Sequence, residues 1–236
     1  MHVQVIPSVK EAGSAKFNHK TAIAIDVLRA TSTIVTALAA GAVSVIPAET
    51  VMDARALQRP GDIVGGERFS RKIAGFEFGN SPREYTEQAV GGRRVILTTT
   101  NGTRAIHKSM RADTVIAASL LNAEASARFA LEQRRDIVIL CAGSHDDFAI
   151  EDGLCAGLLV EHLKQMCPSA VELDDFGGAM HALYRANADS VLDTLMNSQS
   201  GKRLQKLGSA EDIYECAKVD SISIVPYLNG DQLILK

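Results

Sequence analysis

The chain has 236 residues, with 46 % hydrophobic and 22 % charged residues, which is globular composition and excludes a disordered chain. Its 25 Lys and Arg against 28 Asp and Glu leave a net charge of −3, without the basic excess of a dedicated nucleic-acid binder. At about 150 residues per domain, one large domain or two lobes are both open.

Aromatic residues make up only 5 % and there is no Trp, so the core must come from Ala, Val, Ile and Leu. The start, MHVQVIPSVKEAG, lacks the apolar stretch of a secretory signal. Cys141, Cys155, Cys167 and Cys216 form no C-x-x-C pair, so free thiols in a reducing cytoplasm are expected.

Thr21–Asp26 (TAIAID) is a short apolar run that predicts a buried strand. Ala30 to Ala48 carries no charge and approaches the length of a membrane span. It holds Thr31, Ser32, Gly41 and Pro47, however, and its pattern changes at Gly41. It is read as a buried helix over 30–40, with Thr31 or Ser32 as N-cap, then a second strand over 43–47. No membrane association is expected. A short amphipathic helix is predicted over 51–58.

Residues 59–93 read as one long irregular segment, rich in glycine. Loops of that length are usually functional or disordered, and Phe69, Phe76, Phe78 and Tyr85 argue for order over a site. Strands follow over 94–98, 114–118 and 136–143, alternating with helices over 102–110, 123–133 and 150–166. Residues 174–219 read as mostly helical. Closing strands are predicted over 222–226 and 232–236, flanking the turn Asn229-Gly230-Asp231. Strands alternating with helices predict an α/β fold, a three-layer sandwich with a mainly parallel sheet and helices on both faces. One domain over 1–236 is expected. If it has two lobes with the active site between them, the boundary falls near 120–135.

Ligands of open α/β sheets collect beyond the carboxyl ends of the strands. Three such ends carry polar runs before a helix: 26–33, 98–104, and 141–147 with Glu151 and Asp152 just after. Free N–H groups and the helix dipole make each junction a potential anion site. The glycine-rich segment adds Glu67, Arg68, Lys72, Asn80 and Ser81. Each piece also has a plainer reading. Asp26 could be a turn residue, the Thr98–Thr103 run a set of N-caps, and Glu151 and Asp152 partners of a helix dipole. His145 alone is weak, and the other histidines show no metal-ligand spacing.

P-loop, dinucleotide-binding, zincin and α/β-hydrolase signatures are absent from the sequence. Asp147 stands where a Cys-based phosphatase loop after Cys141 needs Arg, so Cys141 is expected to be a buried small hydrophobe. Leu28 follows Asp26 where a haloacid-dehalogenase-type site needs a second Asp. What remains is a set of carboxylates (Asp26, Glu67, Glu151, Asp152), guanidinium groups (Arg29, Arg68, Arg104) and hydroxyls. Carboxylates suit Mg²⁺ and Arg forks suit oxyanions, which together fit metal-assisted phosphoryl chemistry.

AIDVLRATSTIVTALAAGA, GGERFSRKIAGFEFGNSPREY, LTTTNGTRAI and CAGSHDDFAIEDGLCAGLLV, in that order, closely resemble the 2-phosphosulfolactate phosphatase family. So does GKRLQKLGSAEDIYECAKVDSISIVP near the end. The resemblance runs from about Thr21 to Pro226. It implies a Mg²⁺-dependent hydrolysis of 2-phosphosulfolactate to 3-sulfolactate and phosphate, a step of coenzyme M biosynthesis in methanogens, and an α/β fold unlike the common phosphatase folds. The positions matching its motifs are Asp26, Arg29 and Thr31; Glu67, Arg68 and Lys72; Asn80 and Ser81; Thr99, Asn101, Gly102, Thr103 and Arg104; and Glu151 and Asp152. Phe69-Ser70 stands where a glycine-containing turn is common, and Glu77 where Asp is common.

The expected metal set is Asp26 with one or two of Glu67, Glu151 and Asp152. Asp26, Glu67 and Arg104 are the expected catalytic residues, and Arg29, Thr31, Arg68, Lys72, Asn80, Ser81, Thr99, Asn101, Gly102 and Thr103 are expected to bind a small polyanionic substrate. Two mechanisms stay open: attack by water, or by Asp26 as nucleophile. Two other functions also stay open: a phosphatase of another small phosphorylated hydroxy acid, and a non-catalytic organic-anion binder. A homodimer is the base-rate expectation.

Overall fold

The most apolar short runs of the sequence form the middle of one sheet. The computed structural model describes residues 1–235. In chain order these form β1 (His2–Ile6), β2 (Thr21–Ile25), α1 (Ala30–Ala39), β3 (Ser44–Pro47), α2 (Val51–Leu57), β4 (Ile63–Arg68), β5 (Arg71–Lys72), α3 (Glu87–Val90), β6 (Arg94–Thr98), α4 (Gly102–Ser109) and β7 (Thr114–Ala118). The chain continues through α5 (Ala123–Glu132), β8 (Ile137–Cys141), α6 (Ile150–Met166), β9 (Glu172–Leu173), α7 (Asp175–Asn187), α8 (Val191–Asn197), α9 (Gln199–Lys206), α10 (Ala210–Cys216), β10 (Pro226–Asn229) and β11 (Gln232–Leu235).

The strands form one sheet in the order β5-β4-β6-β3-β11-β10-β7-β2-β8-β1-β9. Two parallel blocks, β4-β6-β3 and β7-β2-β8-β1-β9, are joined by the antiparallel β10–β11 hairpin. All five residues of β2 are buried, as a strand covered on both faces requires. Ala22 and Ala24 face a core shared with Ile34 and Leu38 of α1 and Ile106 of α4. Ile23 and Ile25 face the opposite core, with Ala127 of α5 and Leu154 and Leu158 of α6. A third cluster seats Ala54 of α2 on Ile46, Val64 and Ile96. The architecture is therefore α/β, with a mostly parallel sheet and helices on both faces. Residues 120–132 turn into α5 with Leu120, Ala123 and Ala130 buried in the second core.

In a flat sheet β6 and β2, five strand positions apart, would be about 24 Å from each other. Yet Gly102, at the start of the helix that follows β6, lies against Asp26 and Ala30 beyond the end of β2. Twist and curl of the sheet bring these two carboxyl ends together, and α1 and α4 lie between the blocks.

Several expectations need correction. The 59–93 segment is not one irregular loop, because Ile63–Arg68 is a parallel strand beside β6. The N-terminal strand β1 was not foreseen. The penultimate strand begins at Pro226 rather than ending there. Ile222 instead donates its N–H to Leu121 O, and Ile224 O accepts from Asn122 Nδ2, so this stretch docks on the turn before α5. The hairpin turn is Gly230-Asp231, since Asn229 pairs with Gln232. Lys236, included in the expected last strand, lies outside the described residues. Neither Thr31 nor Ser32 caps α1: Asp26 Oδ1 accepts the Ala30 N–H at 3.2 Å, and Ser32 Oγ donates to Val27 O. Among the described residues, no helix is long and apolar enough to cross a membrane.

Candidate active site

One cleft gathers the polar strand ends. Asp26 ends β2, Glu67 lies near the end of β4, Asn101 follows β6, and Gly143 follows β8. Glu151 and Asp152 enter from the first turn of α6, and Ser200 from that of α9. The N-termini of α1, α4, α6 and α9 therefore border it with their positive dipole ends.

The carboxylates have distinct jobs. Asp152 clamps two strand ends: Oδ1 accepts from Val27 N at 2.8 Å and Oδ2 from Gly143 N at 3.0 Å. Glu67 ties the hairpin of β4–β5 to the β6 end, its Oε1 accepting from Thr100 N at 2.7 Å and Oε2 from Ser70 N at 2.6 Å. Glu151 is 2 % exposed and has no hydrogen bond or ion pair among the described residues. Burial, then the neighbouring Glu67 and Glu151, push Asp26 up to about 7. Burial, then Asp26 and Glu151, likewise hold Asp152 well above the carboxylate range.

The structure brings Asp26, Arg29, Glu67, Asn80, Asn101, Glu151 and Asp152 to the cleft. The other expected residues support it or point elsewhere. Thr31 Oγ1 accepts from Asp26 N and donates to Asp26 O, fixing the turn that presents the carboxyl. Thr99 and Thr103 bond each other across the start of α4. Ser81 Oγ donates to Asp212 Oδ1 at 2.6 Å. Arg68 is spent on Glu67 O, Glu49 O and Thr98 Oγ1, and Lys72 on Glu77 O. Arg104 pairs with Asp146 at 3.3 Å on the surface. Cys141 is a fully buried core residue with its thiol pushed up by burial.

Thr100, from the predicted polar run, and Phe69-Ser70, noted as a departure from the family's turn, also border the cleft; sequence reasoning missed Ser200 and Arg203 of α9 and Asp212 of α10. Asp212, 2 % exposed, is the ion-pair partner of Arg29. It stands between Glu211 and Ile213, and an acidic residue on the buried face of a helix was its available signal.

Gly102 is a close-approach residue rather than a ligand contact. A Cβ there would lie 2.3 Å from Ala30 Cβ and 2.7 Å from Asp26 Oδ2. Gly102→Ala is expected to cost about 1–3 kcal/mol by overpacking. By displacing Asp26 it should also lower kcat/KM about 100-fold. Urea unfolding beside initial rates checks both, and an active G102A would show that Asp26 tolerates the shift.

Phe69 and Ser70 both hold left-handed backbone, φ +56° and +64°, and Phe69 is 73 % exposed beside the cleft. Positive φ costs a side-chain-bearing residue about 1–2 kcal/mol, part of which glycine returns as unfolded-chain entropy. Phe69→Gly is therefore expected to stabilise the protein by about 1 kcal/mol in urea unfolding, and a lower midpoint would show that the ring packs.

Two buried oxygens at the cleft, Asn80 Oδ1 and Thr100 Oγ1, have no hydrogen-bond partner. Together with Glu151 and the crowded carboxylates, they leave oxygen donors for a bound group. Among the described residues, no group of three His, Cys, Asp or Glu side chains is placed to hold a metal ion by itself. An all-oxygen set of this kind fits a hard ion such as Mg²⁺, which is held by one or two carboxylates and keeps water or phosphate oxygens in its shell.

These features define an α/β protein with a small, highly polar ligand site where helix N-termini meet parallel strand ends. Sequence comparison makes that specific. The family model for 2-phosphosulpholactate phosphatase matches residues 6–231, and the chain belongs to that family. It is 40 % identical to a probable 2-phosphosulfolactate phosphatase of Symbiobacterium thermophilum over 99 % of both chains. Proteins described in the same words from Clostridium acetobutylicum and Thermotoga maritima are 39 % and 41 % identical, over 99 % and 92 % of this chain and 100 % and 92 % of theirs.

Proposed function

We propose that this chain is a phosphoric monoester hydrolase that cleaves 2-phosphosulfolactate to 3-sulfolactate and phosphate with the help of Mg²⁺. The observation that carries this reading is the crowding of Asp26, Glu67, Glu151 and Asp152 in one buried cleft whose Arg29 is already paired to Asp212. Carboxylates so placed repel one another unless a cation joins them.

Asp26 and Glu67 would hold the ion. Bound there, it would neutralise phosphate charge and lower the pKa of a water molecule. Asp152 keeps the Val27 and Gly143 backbone in place, as Glu67 does for Thr100 and Ser70. The positive dipole ends of α4 and α6 would meet the phosphate oxygens, where negative charge accumulates during transfer. Glu151, without a partner, accepts the proton of the attacking water. As the new P–O bond forms and the ester P–O bond breaks, that proton passes to the departing C2 oxygen, and Glu151 returns to its carboxylate.

Phosphate release from 2-phosphosulfolactate, measured after EDTA treatment and after adding back Mg²⁺, tests the reading. Release that survives chelation overturns the metal. No release with Mg²⁺ overturns the phosphatase and favours an anion-binding protein. After a single turnover in ¹⁸O water, label found in the Asp26 carboxylate overturns direct attack by water in favour of an aspartyl-phosphate.

A further inference from the structure

We propose that Arg203 is the specificity-determining residue of this site, holding the acid group of the substrate that is not phosphate. The inference rests on the phosphatase reading above and names the residue that would select the substrate.

It comes from a census of cations. A small phosphorylated acid presents at least one carboxylate or sulfonate besides its phosphate, and each needs a donor. Arg29 is committed: its side chain is 6 % exposed, paired with Asp212, and also donates to Ser70 O at 3.2 Å. Arg68, Lys72 and Arg104 do not line the cleft, and their polar ends are bonded elsewhere. Arg203 does line it, is half-buried, and its side chain has no hydrogen bond or ion pair among the described residues. Apart from Arg29, no other Lys or Arg among the described residues lines the cleft.

Its mounting is rigid. Ser200, Arg203 and Leu204 stand at i, i+3 and i+4, so they share one face of α9, and all three border the cleft. Leu204 is 2 % exposed in the core. Ser198 Oγ caps the helix by accepting the Gly201 N–H at 2.9 Å. A guanidinium fork held this way matches a carboxylate or sulfonate with two parallel hydrogen bonds, which a single ammonium cannot do. Asp26 and Glu67 line the same cleft. In the proposed complex one end of the substrate meets these carboxylates and the ion they would bind, and the other end reaches Arg203.

The test compares wild type, R203Q and R203K on 2-phosphosulfolactate and on isopropyl phosphate, which has no second acid group. Losing a charged hydrogen-bonding partner should reduce the ratio of the two kcat/KM values about 100-fold in R203Q, mainly through KM. R203K, which keeps the charge but not the fork, should lose about 10-fold. In parallel, calorimetry measures binding of 3-sulfolactate, which has no phosphate, and R203Q should weaken it to a similar extent. An unchanged ratio with unchanged 3-sulfolactate binding overturns the proposal. If R203Q does not fold, R203K decides: a ratio equal to wild type overturns the proposal. If wild-type protein releases no phosphate at all, the phosphatase reading fails, while 3-sulfolactate binding by wild type and R203K still decides the role of Arg203.

Discussion

Asp26→Asn is expected to lower kcat/KM for 2-phosphosulfolactate by about 10³-fold and, at the same time, to stabilise the metal-free protein at pH 8. Both effects come from the place of this carboxyl. Burial and the neighbouring Glu67 and Glu151 hold it at about 7 in the fold, against 3.8 for the ordinary group. Between those values the unfolded chain has released the proton and the folded chain still binds it. The contribution of Asp26 to stability is therefore greatest below about pH 4 and is lost as pH rises through about 7. Asp152, raised by burial, Asp26 and Glu151, acts in the same direction. Asn cannot ionise, and it retains an oxygen for the Ala30 N–H that Asp26 Oδ1 now accepts. In EDTA, the wild-type Tm should fall more steeply from pH 5 to pH 8 than that of D26N. Added Mg²⁺ at pH 8 should raise the wild-type Tm and leave that of D26N nearly unmoved. A D26N protein with full activity removes Asp26 from the chemistry. A variant less stable than wild type at both pH values makes its role structural.

What the sequence made legible follows from how local each signal is. Thr21–Asp26, Arg94–Thr98 and Ile150–Met166 are apolar or periodic runs whose environment can be read from the run itself; they form β2, which ends one residue earlier at Ile25, and β6 and α6 with those bounds. β4 was hidden because Gly65 and Gly66 interrupt its short apolar run. Those glycines are demanded by contacts remote in sequence: a Cβ at Gly66 would lie 2.1 Å from Thr98 O, and one at Gly65 would lie 1.9 Å from Tyr85 Oη. The site divides in the same way. Asp26, Asn101, Glu151 and Asp152 sit at strand-to-helix junctions, where topology alone points ligands, while Glu67 lies in β4 beside the turn to β5. Arg203 and Asp212 arrive from helices packed against the cleft from the far end of the chain, and no local pattern states which way they face. Charge type was an unreliable guide for the same reason. Arg68, Lys72 and Arg104 stand among the motif residues, yet their donors are taken up by backbone carbonyls, a threonine and a surface carboxylate.

The hidden partner of the site should be the most sensitive to removal. Asp212→Ala would leave Arg29 charged, buried and without its counterion, and Ser81 Oγ without its acceptor. Breaking such a pair from one side costs about 3–5 kcal/mol, which for a chain of this size corresponds to a fall in Tm of about 10 °C or more. Activity should fall with it, because Arg29 also donates to Ser70 O, and Ser70 N donates to Glu67. Loss of Asp212 therefore loosens the hairpin that fixes a carboxylate of the cleft. A second variant separates the two consequences. Replacing both partners with apolar side chains, as in R29M/D212L, removes the uncompensated charge, and such exchanges of buried ion pairs are often neutral for stability. The double variant should regain most of the Tm lost in D212A while remaining impaired in kcat/KM, since neither the hold on Ser70 nor the guanidinium is restored. If activity returns together with stability, Arg29 and Asp212 serve the fold alone. If D212A melts like wild type, the pair contributes little to either.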